Sequence, residues 1–272
     1  MATIKILLVD GLNLIRRIFE ANHRDDADIT ACVDSCVRSL VRAKETHRPS
    51  HIAVVLDSHE TTWRHLLYPE YKGDRKPTPP ALINNLDQFK SAFKNVGVAS
   101  IMVGGYEADD VLSTLATGVA ESDGEVVILS TDKGFLSLLS DMIKVYHHFE
   151  QSFVTSTDVH KKYQIRYDQL VDYWSLSGDP GNNIKGVPGV GKKTAVLLLN
   201  QFDRLDEIIL QARKLAIEKT SEPSSEQEKT LENFRKPLAK VLAHENTALL
   251  CRLLVTPKLD VELGVNLRTF RL

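Results

Sequence analysis

The chain has 272 residues, 43% of them hydrophobic, so it can bury a sizeable core within one large domain or within a large domain and a smaller one. A formal net charge of −2 excludes a strong basic field over the whole protein, so any contact with nucleic acid must come from local basic patches. The cysteines Cys32, Cys36 and Cys251 lack zinc-type spacing, and they predict reduced core thiols.

Three short apolar runs each end on an aspartate: Ile4 to Asp10, Ile52 to Asp57, and Val126 to Asp132. The first run is too short for a signal peptide or a membrane span, so we expect a cytoplasmic protein with no membrane contact. Short runs rich in β-branched residues predict buried strands of a parallel sheet. Because ligands bind at the carboxyl ends of such strands, we expect all three aspartates to face one crevice.

A basic loop follows the second predicted strand. The segments from Trp63 to His65 and from Tyr68 to Pro77 carry five basic side chains, counting one histidine, and three aromatic rings. Basic side chains can neutralise phosphates, and aromatic rings can stack on unpaired bases. A solvated loop whose rings pack on the domain remains an alternative for this segment taken alone.

Helical patterns alternate with the predicted strands, which is typical of an α/β fold. After about residue 157 the pattern becomes mostly helical, so we expect a first domain over residues 1–157 and a helical domain over residues 158–272. The charged stretch from Glu218 to Glu232 predicts an exposed loop or a polar helix end. The predicted helices run from Thr30 to Glu45, Pro80 to Asn95, Ala108 to Glu121, Asp168 to Ser177 and Lys192 to Phe202.

Carboxylates open the third predicted helix at Glu107, Asp109 and Asp110. In a first helical turn they could simply be stabilised by the helix dipole, each by ~0.3–1 kcal/mol. Together with the three strand-end aspartates, however, they form a set of like charges that is costly without a cation. Oxygen ligands of this kind favour magnesium or manganese, and paired ions about 4 Å apart can promote phosphodiester cleavage.

A phosphatase or another magnesium-dependent phosphotransferase is an alternative at this point. An enzyme with an aspartyl-phosphate intermediate favours an Asp-x-Asp pattern after its first strand. Here Asp10 is followed by Gly11, Leu12 and Asn13, which weakens that alternative without removing it.

A glycine-rich turn from Gly186 to Ala195 lies between two predicted helices. Its spacing and the absence of a preceding strand argue against a nucleotide P-loop. A simple turn between helices is one interpretation. Two glycine steps followed by Lys192 and Lys193 favour a helix–hairpin–helix that grips a DNA backbone without reading its bases.

In this order the motifs resemble those of the bacterial and phage 5′-nuclease (flap endonuclease) family. The resemblance covers nearly the whole chain, starting at Leu7 to Gly11. Its most specific motifs run from Leu67 to Arg75, Tyr106 to Asp110, Ser130 to Gly134 and Gly186 to Gly191. It implies a PIN-like, mainly parallel sheet flanked by helices, followed by a helical domain with a helix-three-turn-helix DNA-binding motif.

The resemblance also implies a set of metal ligands. A first site for Mg²⁺, with Mn²⁺ as a substitute, is expected from Asp10, Asp57, Glu107, Asp109 and Asp110. Asp109 is the best candidate for direct coordination. Asp132 and Asp179 match positions of a second site, where the chain departs from the family: Gly134 and Asn182 stand where aspartates are usual. We therefore expect the second metal to bind weakly or through water.

The DNA-binding residues are inherited from the same resemblance. Lys72 and Arg75, beside Tyr71, resemble arch residues that engage the scissile phosphate and the threaded 5′ strand. The hairpin is expected to contact DNA through Gly189, Val190, Gly191, Lys192, Lys193 and Thr194. Family members hold K⁺ there through backbone carbonyls, and the matching positions are Leu176, Ser177, Lys185, Val187 and Val190.

Three hypotheses follow. The first is a monomeric magnesium-dependent nuclease that cleaves branched DNA with a 5′ flap during replication or repair. The second is a flap-DNA-binding protein with vestigial cleavage, which the changes at Gly134 and Asn182 favour. The third, a phosphatase or phosphotransferase acting on small molecules, leaves the basic loop and the hairpin without a role.

Overall fold

The structure is a computed structural model that describes residues 4–22, 29–58, 60–217 and 226–272. Two compact units are present. Unit 1 contains residues 1–67, 76–155 and 257–272, and unit 2 contains residues 68–75 and 156–256. The predicted domain boundary at residue 157 stays a prediction.

Unit 1 is built on a six-stranded sheet in the order β3-β2-β1-β4-β5-β6. All neighbouring strands are parallel except β5 and β6, which are antiparallel. The strands are β1 (Lys5–Asp10), β2 (His51–Val55), β3 (Ala99–Ile101), β4 (Glu125–Leu129), β5 (Ile143–His147) and β6 (Ser152–Val154).

Helices cover both faces of this sheet. On one face, Leu7 and Val9 of β1 belong to a buried core that also includes Ile15, Leu40 and Phe93. On the other, α6 packs against β1 and β4. The helices of unit 1 are α1 (Gly11–Asn22), α2 (Ile29–His47), α3 (Trp63–Leu67), α4 (Pro80–Ile83), α5 (Leu86–Asn95) and α6 (Ala108–Glu121). The predicted mainly parallel α/β fold is confirmed.

Unit 2 is helical in the part that the structure describes, as predicted for this half of the chain. Between α8 and α9 lies the glycine-rich turn. The helices of unit 2 are α7 (Ser156–Tyr163), α8 (Leu170–Ser177), α9 (Lys192–Phe202), α10 (Leu205–Ile217), α11 (Glu226–Ala243) and α12 (Glu245–Val255). Of the predicted polar stretch, residues 218–225 lie outside the described residues, and α11 begins at Glu226.

Several predicted boundaries differ from those observed. The helix predicted from Pro80 to Asn95 is divided into α4 and α5, because Asn85 leaves the helical conformation and donates its side-chain amide to the Ala81 carbonyl. Strands β2 and β4 end at Val55 and Leu129, so Asp57 and Asp132 lie on the loops that follow the strands. Helices α6 and α9 have the predicted bounds.

Within the described part of the chain, no helix combines the length and the apolar character that crossing a bilayer requires.

Candidate active site

Asp10, the last residue of β1, lies at the edge of the sheet where the parallel strands end. Asp57 and Asp132 follow the neighbouring strands β2 and β4, and the three residues define what we call the acidic edge. Its side chain is only 6% exposed. The Ser130 hydroxyl donates to Asp10 Oδ2 at 2.8 Å, and the Asn13 backbone N–H donates to Oδ1 at 3.2 Å. Asn13 lies in the first turn of α1, where backbone N–H groups have no acceptor within the helix, and Asp10 supplies that acceptor.

The environment of Asp10 raises the pKa of its carboxyl to about 7. Burial is the main cause, the negative charge of Asp57 is the next, and Asp132 adds to the increase. The hydrogen bonds from Ser130 and Asn13 act in the opposite direction. The negative charges of Asp57 and Asp132 therefore both act on Asp10, whereas the single crevice predicted for the three aspartates stays a prediction.

Asp57 and Asp132 also accept backbone hydrogen bonds. The Ala108 N–H, at the start of α6, donates to Asp57 Oδ1 at 2.8 Å. The Gly134 N–H donates to Asp132 Oδ1 at 2.7 Å, so Asp132 caps a short 3₁₀ helix. The hydrogen bond to Asp57 connects the loop after β2 with the acidic start of α6.

A buried arginine binds the carboxylates at this start of α6. Arg64 is 3% exposed, and its Nη1 lies 2.8 Å from Glu107 Oε2 and 2.7 Å from Asp110 Oδ2. Its Nη2 donates to Asp110 Oδ1 at 2.8 Å. Glu107 and Asp110 also form a capping box, in which each side chain accepts from the other's backbone N–H.

Asp110 receives two further hydrogen bonds. Trp63 Nε1 donates to its Oδ2 at 3.0 Å, and the Lys258 backbone N–H donates to its Oδ1 at 2.8 Å. The Asp110 side chain is completely buried, whereas Asp109 is partly exposed. The two adjacent aspartates of the motif therefore have different environments.

Among the described residues, no group of three or more His, Cys, Asp or Glu side chains is arranged as a ready metal site. The metal-binding roles predicted for the seven carboxylates stay predictions. Six of them lie in unit 1, and Asp179 lies in unit 2.

The predicted arch residues Tyr71, Lys72 and Arg75 belong to unit 2. Tyr71 is 4% exposed and packs in a small core with Ile184, Cys251 and Leu254. The Tyr71 ring therefore has a packing role, and its predicted contact with DNA stays a prediction.

Lys72 and Arg75 contact the loop that follows α8. The Lys72 N–H donates to the Asn182 carbonyl at 3.0 Å, and Lys72 has a left-handed backbone, with φ of 55°. Arg75 donates from Nε to the Gly181 carbonyl at 2.9 Å and from Nη2 to Asn182 Oδ1 at 3.0 Å. Asn182 Nδ2 in turn donates to Asp179 Oδ2 at 2.7 Å, so Asn182 connects Arg75 with Asp179.

The glycine-rich turn brings backbone segments very close together. Gly178 and Gly186 have φ of 80° and 73°, which favours glycine. A Cβ atom at Gly186 would lie 2.7 Å from the Leu176 carbonyl oxygen, and one at Gly178 would lie 2.6 Å from the Lys185 carbonyl oxygen. We call this close approach of the backbone at Gly178 and Gly186 the glycine crossing. The carbonyls of Leu176 and Lys185, two of the five predicted to hold K⁺, lie beside it.

The exposed part of the hairpin carries positive charge. Lys192 and Lys193 are exposed at the start of α9. Lys240 of α11 donates from Nζ to the Gly189 carbonyl at 3.0 Å. Val190 is buried, so only its backbone is suited to a ligand contact.

Sequence reasoning missed the roles of Arg64, Ser130, Asn13 and Lys240. The sequence places Arg64 in the basic loop, but its side chain is buried. Its partners lie more than 40 residues away in the chain, so no local pattern indicates the contact. For Ser130 and Asn13, closeness in sequence to Asp132 and Asp10 was the available signal. Nothing in the sequence connects Lys240 with Gly189.

The chain matches the 5′-3′ exonuclease N-terminal resolvase-like domain over residues 5–164 and the 5′-3′ exonuclease C-terminal SAM fold over residues 165–272. A Shewanella pealeana protein named flap endonuclease Xni is 39% identical over 268 residues, which cover 98% of this chain and 97% of the relative. A Psychromonas ingrahamii protein of the same name is 36% identical over 270 residues, with 98% and 96% covered.

The fold is similar to that of a solved structure described as T5 5′-exonuclease with divalent metal ions (zinc) bound. The TM-score is 0.70 at 21% identity, and the match covers 92% of this chain and 89% of the other. At this level of identity, the likeness concerns the fold alone.

Proposed function

We propose that this chain, a member of the 5′-3′ exonuclease family, cleaves 5′ flaps in branched DNA and that cleavage depends on Mg²⁺. Membership of the family makes the chain a nuclease that hydrolyses phosphodiesters. The observation that carries the proposal is the convergence of Asp10, Asp57 and Asp132 at the carboxyl edge of the parallel sheet. A phosphotransferase acting on small molecules is disfavoured by membership of this family. Its relatives named flap endonuclease support the choice of flap DNA.

The chemistry of the acidic edge fits a divalent cation. Its carboxylates are hard oxygen ligands, which suit Mg²⁺ and also Mn²⁺. Burial and the negative charges of Asp57 and Asp132 raise the pKa of Asp10, and a bound cation would offset the repulsion between these carboxylates. We propose Asp10, Asp57, Glu107 and Asp109 as ligands, directly or through water. When bound, Mg²⁺ supplies positive charge that activates water and stabilises the developing charge on phosphate.

A second metal ion is proposed to bind more weakly. Asp132 remains, but Gly134 supplies no carboxylate two residues further along the chain. Fewer anionic ligands lower the affinity of a site for a hard cation. Slow catalysis is the expected consequence.

The protein's own residues would position the DNA. Lys72 and Arg75 are proposed to engage phosphates, and Lys192, Lys193 and Thr194 at the start of α9 are proposed to hold the duplex backbone with the amides of Gly189 to Gly191. For K⁺, the carbonyls of Leu176 and Lys185 beside the glycine crossing support a site in the hairpin. The other proposed carbonyls are those of Ser177, Val187 and Val190.

A flap-binding protein with vestigial cleavage is the second candidate. Besides Gly134, the observation that favours it is Asn182, a neutral residue held between Arg75 and Asp179. It predicts tight binding of flap DNA without turnover. The proposed monomeric state and cytoplasmic location are common to both candidates.

A panel of labelled substrates separates these candidates. The panel contains a duplex with a 5′ flap, the matching duplex with a 3′ flap, a nicked duplex and a single strand, each with Mg²⁺ or with chelator. We expect faster Mg²⁺-dependent release from the 5′ flap than from the other three substrates. Equal cutting of all four would contradict flap specificity, and tight binding without product would favour the second candidate.

A further inference from the structure

The environment of Asp110 differs from that expected of a metal ligand. An ionised carboxylate offers about four acceptor positions. At Asp110, Oδ1 accepts from Arg64 Nη2 and the Lys258 N–H, and Oδ2 accepts from Arg64 Nη1 and Trp63 Nε1. These four bonds, of 2.7 to 3.0 Å, occupy the acceptor positions of a fully buried side chain, which also accepts the longer capping-box bond from the Glu107 N–H at 3.5 Å.

A cation could reach Asp110 only by displacing some of these donors. The paired guanidinium of Arg64 is itself 3% exposed, so losing its partner would leave a positive charge buried without compensation. The bidentate geometry of the Arg64–Asp110 pair also favours the intact ion pair over its exchange. Coordination of a metal by Asp110 is therefore disfavoured in this arrangement.

Arg64 joins Asp110 to Glu107, the N-cap residue of α6. Nη1 of Arg64 contacts both carboxylates, and the capping box joins the same two residues. Asp109 lies between them in the chain and is partly exposed. Holding residues 107 and 110 fixes the first turn of the helix, and thereby the direction of the intervening Asp109 side chain.

The C-terminal segment completes this arrangement. Besides the Lys258 N–H bond to Asp110, the Thr114 hydroxyl donates to the Lys258 carbonyl at 3.2 Å and accepts from the Val261 N–H at 3.3 Å. The Lys258 ammonium lies 4.9 Å from the centre of the Trp63 ring, and the Arg64 guanidinium lies 4.4 Å from it. Segments far apart in the sequence thus meet at one carboxylate.

We propose that Asp110, with Arg64, Trp63 and the backbone of Lys258, is a positioning residue that orients Glu107 and Asp109 at the active site and does not bind the metal itself. This inference rests on the proposed metal-dependent cleavage. It assigns different roles to two adjacent aspartates of one motif.

The first test measures metal binding without DNA, so it does not depend on cleavage. Mn²⁺ is titrated into the full chain carrying Asp110→Asn or Asp109→Asn, each an isosteric loss of charge. We expect Asp109→Asn to weaken binding by at least about tenfold and Asp110→Asn by less than about threefold. Equal losses for both variants would overturn the proposal.

The second test measures the single-turnover cleavage rate of a 5′-flap duplex at saturating Mg²⁺. Asp110→Asn should lower this rate by at least about tenfold, because misplaced ligands lose catalytic geometry. Arg64→Lys should also lower it, and the double variant should be little slower than the slower single variant. A wild-type rate for Asp110→Asn, or fully additive losses, would contradict positioning by this pair.

A milder pair of variants covers the case in which Asp110→Asn does not fold. Trp63→Phe removes the indole N–H donated to Asp110 but keeps an aromatic ring, whereas the control Lys144→Ala changes an exposed residue of β5 that does not contact this arrangement. We expect Trp63→Phe to slow cleavage by a factor of about three or more and Lys144→Ala to change it by less than about twofold. Equal rates for the two variants would overturn the proposal, whereas absence of Mg²⁺-dependent cleavage in the unmodified protein would contradict the proposed function instead.

Discussion

At the residue scale, Asp10 shows the conflict between stability and proposed function. Burial and the charges of Asp57 and Asp132 raise the pKa of its carboxyl to about 7, well above its ordinary value of 3.8. A group whose pKa is raised by folding contributes stability that is complete below the unfolded pKa and is lost as pH rises through the folded pKa. Metal-free protein should therefore lose stability between about pH 4 and about pH 7.

The variant Asp10→Asn tests this cost. In chelator, the free energy of unfolding of the unmodified protein should fall more steeply than that of the variant as pH rises from about 4 to about 7, by a difference on the order of a few kcal/mol. Denaturant unfolding at several pH values measures it, with Asp87→Asn at an exposed helix position as the matched control. Parallel pH profiles for the unmodified protein and Asp10→Asn would refute the assignment.

Gly134 provides a second residue-scale prediction. A Cβ at this position would meet only Asp132 Oδ1, at 3.2 Å, so a side chain can be accommodated with a small shift. Gly134→Asp should raise the rate at limiting Mg²⁺ by about tenfold or more, because an anionic ligand is added two residues after Asp132. The control is Gly134→Asn, which adds a side chain of the same size without the charge. An unchanged rate in Gly134→Asp would count against a second metal site weakened by the loss of a carboxylate.

At the scale of elements, the sequence predicted what depends on local pattern. Apolar runs indicated β1, β2 and β4, and the helical period indicated α6 and α9 with their observed bounds. The division of α4 from α5 depends on an asparagine that competes for backbone hydrogen bonds, and the burial of Arg64 depends on contacts between distant segments. Such tertiary effects leave no periodic signal in the chain.

The hairpin between α8 and α9 allows a matched test of glycine at the element scale. Gly186→Ala places a Cβ about 2.2 Å from the Gly178 nitrogen in a left-handed conformation, whereas Gly191 has nothing within 4 Å of its Cβ position. We expect Gly186→Ala to cost at least about 2 kcal/mol of unfolding free energy and Gly191→Ala less than about 1 kcal/mol. Equal losses in denaturant unfolding would contradict this account of the crossing.

At the scale of the whole molecule, a net charge of −2 makes DNA binding depend on where the lysines lie. Each phosphate contact releases counterions and steepens the dependence of affinity on salt. The exposed Lys192 and Lys193 at the start of α9 are the proposed contacts, whereas the exposed Lys144 lies on β5 and has no proposed role.

Salt titration of flap-DNA binding, in the presence of chelator, tests this distribution of charge. Lys192→Ala and Lys193→Ala should each reduce the slope of log affinity against log salt by about 1, and Lys144→Ala should leave the slope unchanged. Equal slopes in all three variants would place the DNA elsewhere on the protein.

The most direct test of metal-dependent cleavage is a single-turnover time course on a labelled 5′-flap duplex, with Mg²⁺ or with chelator. Asp109→Asn is the preferred variant, because Asp109 is partly exposed, whereas Asp110 is buried against Arg64. We predict release of the flap by the unmodified protein with Mg²⁺ alone, and a loss of at least about a hundredfold in the variant with DNA binding retained. Cleavage in chelator, or a wild-type rate in Asp109→Asn, would contradict the account.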